Sequence, residues 1–547
     1  MNRSIVIALF VLAFASEGAA ETTPHPLASA AHLSLEMPSR AFDGAPSAPA
    51  TFRAPELIAT SAAALERLQE KRLASNAEEP SGRMRVATVR ALPKAAHVDT
   101  WSAVEGGYVT RLRVSSEGAE GLRVKLELGD LPEAIEVRVQ GSDDRIESMP
   151  IEPTFASEAW TPWTVGSSQL IEIFSPVVPS EGALLVGAIL HFTQSPFAKA
   201  AAGACTIRTL CSSGDPALDA AIADAKKAVM RLTFVENGSG FLCTATLINT
   251  ERYPAAFVLT ANHCINNAAA ASSISTMWFY ESTTCGTEGV LNPGFVQISG
   301  GMQLVFTNYN VDSTLLLMNQ TPPAGAVYSA WNPARLASGN PVVSISHPAG
   351  DTTRYATGAI TKEYRIQGRP QDMYGVAFSR GIIQGGSSGS GLFTLSGRSL
   401  QLRGVLSGST IRTAGGMSCT DLTEEALYAR LEIFEPEIDQ YIRIAPQAPD
   451  DAPNRPQDLF SAPVTDPNGV DLALNLRSTP LVFNSLRIDY PGDLDVFRFF
   501  LTAPATVSLG SEGALDTVGT LLDSQGVSIE ANDDVAAGNV NFGITRH

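Results

Sequence analysis

Ala256-Phe257-Val258-Leu259-Thr260-Ala261-Asn262-His263-Cys264 is the stretch that decides how this chain folds. Its apolar run Ala256 to Thr260 reads as a buried strand that delivers a histidine at its end. Two later stretches answer it. Asn310-Val311-Asp312-Ser313-Thr314-Leu315-Leu316 places a carboxylate ahead of a second apolar run, with Leu315-Leu316-Leu317 anchoring Asp312 beside the core. Gly385-Gly386-Ser387-Ser388-Gly389-Ser390-Gly391 sets a serine in a turn where Gly386 and Gly389 permit tight backbone.

Each piece alone has a plain reading. A Gly/Ser-rich loop is usually a flexible turn, a His beside a Cys is commonly a core or surface histidine, and Asp312 alone is an ordinary strand-edge carboxylate. Together they make chemistry. A serine hydroxyl must lose its proton as it attacks, and an imidazole that titrates near the working pH can take that proton and return it to the leaving group. A carboxylate on the far ring nitrogen fixes the tautomer and stabilises the imidazolium. The amides of Gly386 and Ser388 would form the oxyanion hole, each donor worth roughly 100- to 1,000-fold in rate. The order His263, Asp312, Ser388 is that of a chymotrypsin-type hydrolase. The expected fold is therefore all-β, a chymotrypsin-like double β-barrel, with flanking β-domains on both sides.

Composition narrows the class. A chain of 547 residues is too long for one hydrophobic core. With 44% apolar and 17% charged residues it is globular, and a net charge of -18 disfavours nucleic-acid binding. Arg3, the apolar run Ile5 to Ala15 and the small residues Gly18-Ala19-Ala20 read as a secretory signal at 1–20. That run falls short of the about 20 apolar residues a membrane span needs, and no other stretch is apolar enough. All 6 cysteines lie between Cys205 and Cys419, and an exported chain would use them as disulfides. The close C-x-x-C pair of a metal site is missing from the sequence.

Along the chain, residues 21–76 are rich in Ala, Pro and Ser, with one helical stretch from Leu57 to Leu73. Leu122 to Leu128 and Ile135 to Val139 alternate apolar and charged residues, and Leu184 to Phe192 is a further apolar strand, so 77–199 reads as a small β-sandwich. The whole of 21–199 is expected to be a propeptide that covers the site or assists folding, against the alternative of a permanent accessory domain. Ser195 to Ala204, small and flexible, is a cleavable seam. The protease-like unit is expected at 200–444, a Pro-rich linker at 445–459 and a C-terminal β-domain at 460–547. Asp493, Asp495, Asp533 and Asp534 offer carboxylates to calcium, although such runs are more often solvated turns.

From Cys205 to about Ile444 the chain resembles bacterial lysyl endopeptidases of the trypsin-like clan. The resemblance is carried by Cys205…Cys211, Leu242-Cys243-Thr244, Phe257 to Cys264, Ser282-Thr283-Thr284-Cys285, Asp312 to Leu316, Ser346-His347-Pro348 and Gly386 to Ser390. It implies the disulfides Cys205–Cys419, Cys211–Cys285 and Cys243–Cys264, and a serine endopeptidase that needs no metal or organic cofactor. The tail resembles a prepeptidase C-terminal domain, stopping before its usual last strands. Where most trypsin relatives carry an aspartate that pairs with the new N-terminus on activation, this chain has Ser387. Removal of a covering propeptide is the natural substitute.

A lysine-selective pocket needs a buried carboxylate. Trypsin's position for it is occupied here by Ile382. The lysyl endopeptidases carry theirs just before a late tyrosine. The matching stretch is Glu424-Glu425-Ala426-Leu427-Tyr428, where an ungapped count lands on Ala426 and small shifts land on Glu425 or Glu424. Asp421 is a further candidate, and Ser407 and Gly408 belong to the pocket wall. Cleavage after Lys199 would make Cys205 the sixth residue of the processed enzyme, the offset that family uses. The expected product is thus a secreted, monomeric enzyme acting on proteins or peptides, with preference for Lys or Lys/Arg. Its rivals are the same fold with glutamyl or small-residue specificity, and a catalytically idle surface-binding protein on a protease scaffold.

Overall fold

The computed structural model describes residues 83–442 except 132, 153–156, 195–201, 251, 253, 287–289, 366–371, 411–416, 418 and 420–422, together with short strand segments in the two flanks. The expected signal peptide cleavage residues, the helix at 57–73, Lys199, the linker prolines and the four tail aspartates lie outside the described residues. Within the tail, Val507–Gly510 pairs with Gly543–Arg546 and Val518–Leu522 with Ser528–Asn532, both antiparallel.

Alternation builds the N-terminal part. The strands β1 (Met84–His97), β2 (Gly121–Leu128), β3 (Ile135–Gln140), β4 (Ser168–Ser175) and β5 (Leu184–Phe192) fall into two sheets. In β3 every second residue is buried, as a strand with one face on a core requires. One sheet runs β2-β5-β1, and the other places β4 beside β3. Leu122, Val124, Val137, Ile171 and Ile189 fill the space between them. The result is the expected sandwich.

A helix, α1 (Pro216–Ala225), leads into the first barrel, whose strands are β6 (Val229–Glu236), β7 (Ser239–Leu247), β8 (Phe257–Thr260), β9 (Ser275–Trp278), β10 (Val296–Ser299), β11 (Met302–Asn308) and β12 (Ser313–Met318). Their order is β10-β9-β6-β7-β8-β12-β11. The second barrel comprises β13 (Pro341–Ser346), β14 (Arg354–Arg365), β15 (Asp372–Arg380), β16 (Gly391–Ser396), β17 (Ser399–Ser409) and β18 (Ala426–Arg430). They pair as β14-β13-β16-β17-β18-β15, and β15 returns to β14, so this barrel is closed and has no free edge. A terminal helix, α2 (Leu431–Ile442), buries Leu431, Phe434, Ile438 and Ile442, one stripe at helical spacing. Double-barrel architecture is thereby established.

One pairing was not legible in advance. Strand β1 of the sandwich hydrogen-bonds to β7 of the first barrel, with Thr88 opposite Ser239, Ala87 opposite Gly240 and Met84 opposite Leu242. Gly240 permits the approach, because a Cβ there would lie 2.8 Å from the Ala87 methyl. A joint core forms beneath, with Val86, Trp160, Trp163 and Phe192 against Leu242, Met277, Tyr280 and Phe295. Arg123, fully buried, donates to Ser273 O at 2.8 Å and Thr161 O at 2.9 Å, and burial pulls its pKa down to about 9. A single sheet runs through both parts.

Candidate active site

Strand register brings the first two residues together. Strands β8 and β12 are antiparallel, with Thr260 opposite Thr314. His263 leaves the end of β8 just where Asp312 enters β12. Asp312 is fully buried in the left-handed region at φ 51°, which turns its carboxylate under the histidine. Its Oδ2 lies 2.9 Å from His263 Nδ1, and its Oδ1 accepts from the His263 backbone N–H at 2.9 Å. A carboxylate can only accept here, so Nδ1 carries the hydrogen and Nε2 presents a lone pair. Ser407 Oγ donates a further hydrogen bond to Asp312 Oδ2. The sequence places Ser407 on the pocket wall; the fold gives its hydroxyl to the carboxylate.

Two consecutive residues of β7 then tie the His263 segment to the Ser388 loop. Cys243 is bridged to Cys264, the neighbour of His263, and the Thr244 N–H donates to Ser388 O at 2.8 Å. Gly389 (φ 81°) packs so closely that a Cβ would meet Thr260 Oγ1 at 2.1 Å. Ser388 itself is 3% exposed. His263 Nε2 is buried and accepts no hydrogen bond, so the expected bond from Ser388 Oγ to the ring is not formed in this conformation. Contacts of this kind commonly close only when substrate is seated.

The loop before Ser388 is aimed by its own carbonyls. A trans peptide points its N–H opposite to its C=O. Gly385 O accepts from Ala349 N at 2.7 Å, which turns the Gly386 N–H the other way. Ser387 O accepts from Ser390 N at 3.0 Å, which does the same for the Ser388 N–H. Gly386 O is held by Thr244 Oγ1 at 2.9 Å. At Gly386 (φ 90°) a side chain would crowd His347 O and Gly350 N at 3.0 Å.

The pocket candidates separate. Ile382 is buried with Ile383, Leu406, Met417 and Tyr428 in the core of the second barrel, and Ala426 is buried at the start of β18. Gly408 faces open space. Glu425 Oε2 accepts from Thr361 Oγ1 at 3.0 Å, whereas Glu424 is only 2% exposed. Asp421 lies outside the described residues. The other two disulfides join Cys205 to Cys419 and Cys211 to Cys285, the pairs implied by the resemblance. Cys243, His263 and Cys264 have metal-like spacing, but both sulfurs are in a disulfide, which leaves no thiolate to ligate an ion.

Residues 199–424 match the family model for the lysyl endopeptidase C-terminal domain, and residues 56–193 the model for the lysyl endopeptidase N-terminal domain. A lysyl endopeptidase of Pseudomonas aeruginosa is 30% identical over 322 residues, covering 56% of this chain and 69% of that protein. The chain belongs to the lysyl endopeptidase family. It is a serine peptidase, a hydrolase. Among solved structures, the HtrA-type protease AlgW with a tripeptide aligns at 18% identity and TM-score 0.29, covering 41% of this chain and 62% of that one. A protease from M. tuberculosis in its active form aligns at 17% and 0.29, covering 43% and 90%. At those scores neither informs the details of the site.

Proposed function

We propose that the chain is a secreted endopeptidase that cleaves after lysine through an acyl-enzyme on Ser388. The observation that carries this is the buried Asp312 carboxylate, which holds Nδ1 and the backbone N–H of His263 at 2.9 Å and so leaves Nε2 as the base. Ser388 Oγ attacks the scissile carbonyl as His263 Nε2 takes its proton, and the oxyanion is received by the Gly386 and Ser388 amides. The imidazolium then protonates the leaving amine. Water, activated by the same nitrogen, hydrolyses the ester and restores Ser388. Each step uses this chain's own groups.

For the lysine side chain, Glu424 is the acid we select. Glu425 is engaged by Thr361 and by the Tyr364 hydroxyl, while Glu424, just ahead of β18, is buried. A buried carboxylate opposite an ammonium discriminates strongly, because removing one partner strands the other. Residues 21–199 act as propeptide, and cleavage after Lys199 supplies the enzyme's first residue. Two contacts hold the chain just past that seam: Gly203 N donates to Gln384 Oε1 at 2.8 Å, and Cys205 is bridged to Cys419.

Digestion of a peptide library, with cut sites read by mass spectrometry, tests the reading. Cuts should cluster after lysine, Glu424→Gln should lose roughly 100-fold or more in kcat/KM on lysyl peptides, and Glu425→Gln should change little. Cuts gathered after glutamate or small residues would replace lysine with the rival specificity.

A further inference from the structure

Arg231 is out of character for its strand. Val229-Met230-Arg231-Leu232 is buried throughout, and Arg231 is 2% exposed. A guanidinium in such a place must be held by good acceptors. Its NH1 donates to Gly350 O at 2.6 Å, and its Cζ lies 4.4 Å from the Tyr280 ring centroid. Gly350 belongs to a turn over 347–351 that is closed by Gly350 N on His347 O at 3.0 Å and by His347 Nδ1 on Asp351 O at 3.0 Å. Ala349, inside the turn, sits in the left-handed region at φ 54°. Non-glycine residues stay there only where their surroundings impose it, and such strain gathers at functional sites.

This turn grips the loop before the nucleophile at two points. Ala349 N holds Gly385 O at 2.7 Å. His347 N donates to Thr244 Oγ1 at 3.2 Å, and that hydroxyl holds Gly386 O at 2.9 Å. Trypsin relatives order the same loop with an aspartate and a new N-terminus. Ser387 offers no such charge: its buried hydroxyl accepts from Ser346 Oγ at 3.0 Å and from Gln384 N at 3.3 Å.

We propose that Arg231 is a positioning residue for the oxyanion loop: through Gly350 it fixes the 347–351 turn, and the turn aims the Gly386 N–H. The inference rests on the reading of Ser388 as nucleophile and of the Gly386 amide as an oxyanion donor. It makes a buried cation on the first barrel the ordering element of a loop on the second. No new N-terminus is required for this.

The test compares wild type with Arg231→Met in the full-length chain, allowed to process as it does natively. A fluorophosphonate titration counts competent sites, so that misfolded protein is removed from the rates. Per titrated site, kcat should fall roughly 100-fold, the loss seen for one oxyanion donor. A peptide boronate, which forms a tetrahedral adduct on the serine, should lose affinity by the same factor. KM and the affinity for a product peptide should stay within about threefold. A kcat per site within about threefold of wild type, or boronate and product affinities falling together, would overturn the proposal. If Arg231→Met does not accumulate, Arg231→Lys decides on the same readouts. A lysine cannot stack on Tyr280 and donate to Gly350 O together, so a roughly tenfold selective loss is expected and wild-type behaviour would refute it. Failure of the wild-type enzyme to label at Ser388 would instead refute the nucleophile assignment, leaving the two readings separable.

Discussion

Acid should loosen this protein through His347. The ring is fully buried, and burial, followed by repulsion from Arg231 and then Arg354, lowers its pKa from 6.5 to about 3, against a smaller opposing pull from its bond to Asp351 O. Its Nε2 is buried without a hydrogen-bond partner, so a second proton would find no acceptor. Between pH 6.5 and about 3 the unfolded chain binds a proton there that the folded chain refuses, so stability falls as pH falls through that window. At about 1.4 kcal/mol per pH unit the full effect is about 4–5 kcal/mol. The perturbation is His347→Asn, whose amide can still donate to Asp351 O but does not titrate. Denaturant unfolding, followed by tryptophan fluorescence on a Ser388→Ala background to prevent autolysis, gives unfolding free energies at pH 7 and pH 3. Other groups titrate alike in both proteins and cancel. The wild type should lose about 4–5 kcal/mol more than the variant between the two pH values. Parallel curves would refute the reasoning, because His347 would then not be held neutral by its surroundings.

Asp312→Asn should leave the fold in place but present an amide N–H where His263 Nδ1 needs an acceptor, favouring the wrong tautomer. Steady-state kinetics should show kcat down roughly 10⁴-fold with KM little changed. Replacing Cys243 and Cys264 together by alanine opens a crosslink between residues 21 apart. That should cost about 3 kcal/mol of unfolding free energy, measured by denaturant unfolding.

Local pattern carried much of the architecture. The strand read at Leu184 to Phe192 is β5, and the alternation at Ile135 is the alternating burial of β3. The order of His263, Asp312 and Ser388 pointed to the double barrel because each sits at the end of an element with its own sequence signature. What pattern could not carry is pairing between distant strands. Nothing local to the run Met84 to His97 says that its edge will meet β7. Ser407 was likewise opaque: β17 is buried over most of its length, and a serine there has no periodicity to reveal that it faces Asp312. Arg231 did leave a mark, a lone charge inside an apolar strand. Its partner Gly350 O lies 119 residues away and is visible only in the fold. The bond between Ser388 and His263 Nε2, implied by the motif, is absent in this conformation.

Everything rests on Ser388 being the one hydroxyl made nucleophilic by its neighbours. Fluorophosphonate labelling of the active enzyme, followed by peptide mapping in a mass spectrometer, addresses this directly. The account predicts one label per active molecule, on Ser388, that is lost in Ser388→Ala and slowed in Asp312→Asn. An active enzyme that takes no label, or takes it on Ser387 or Ser390 instead, would contradict it.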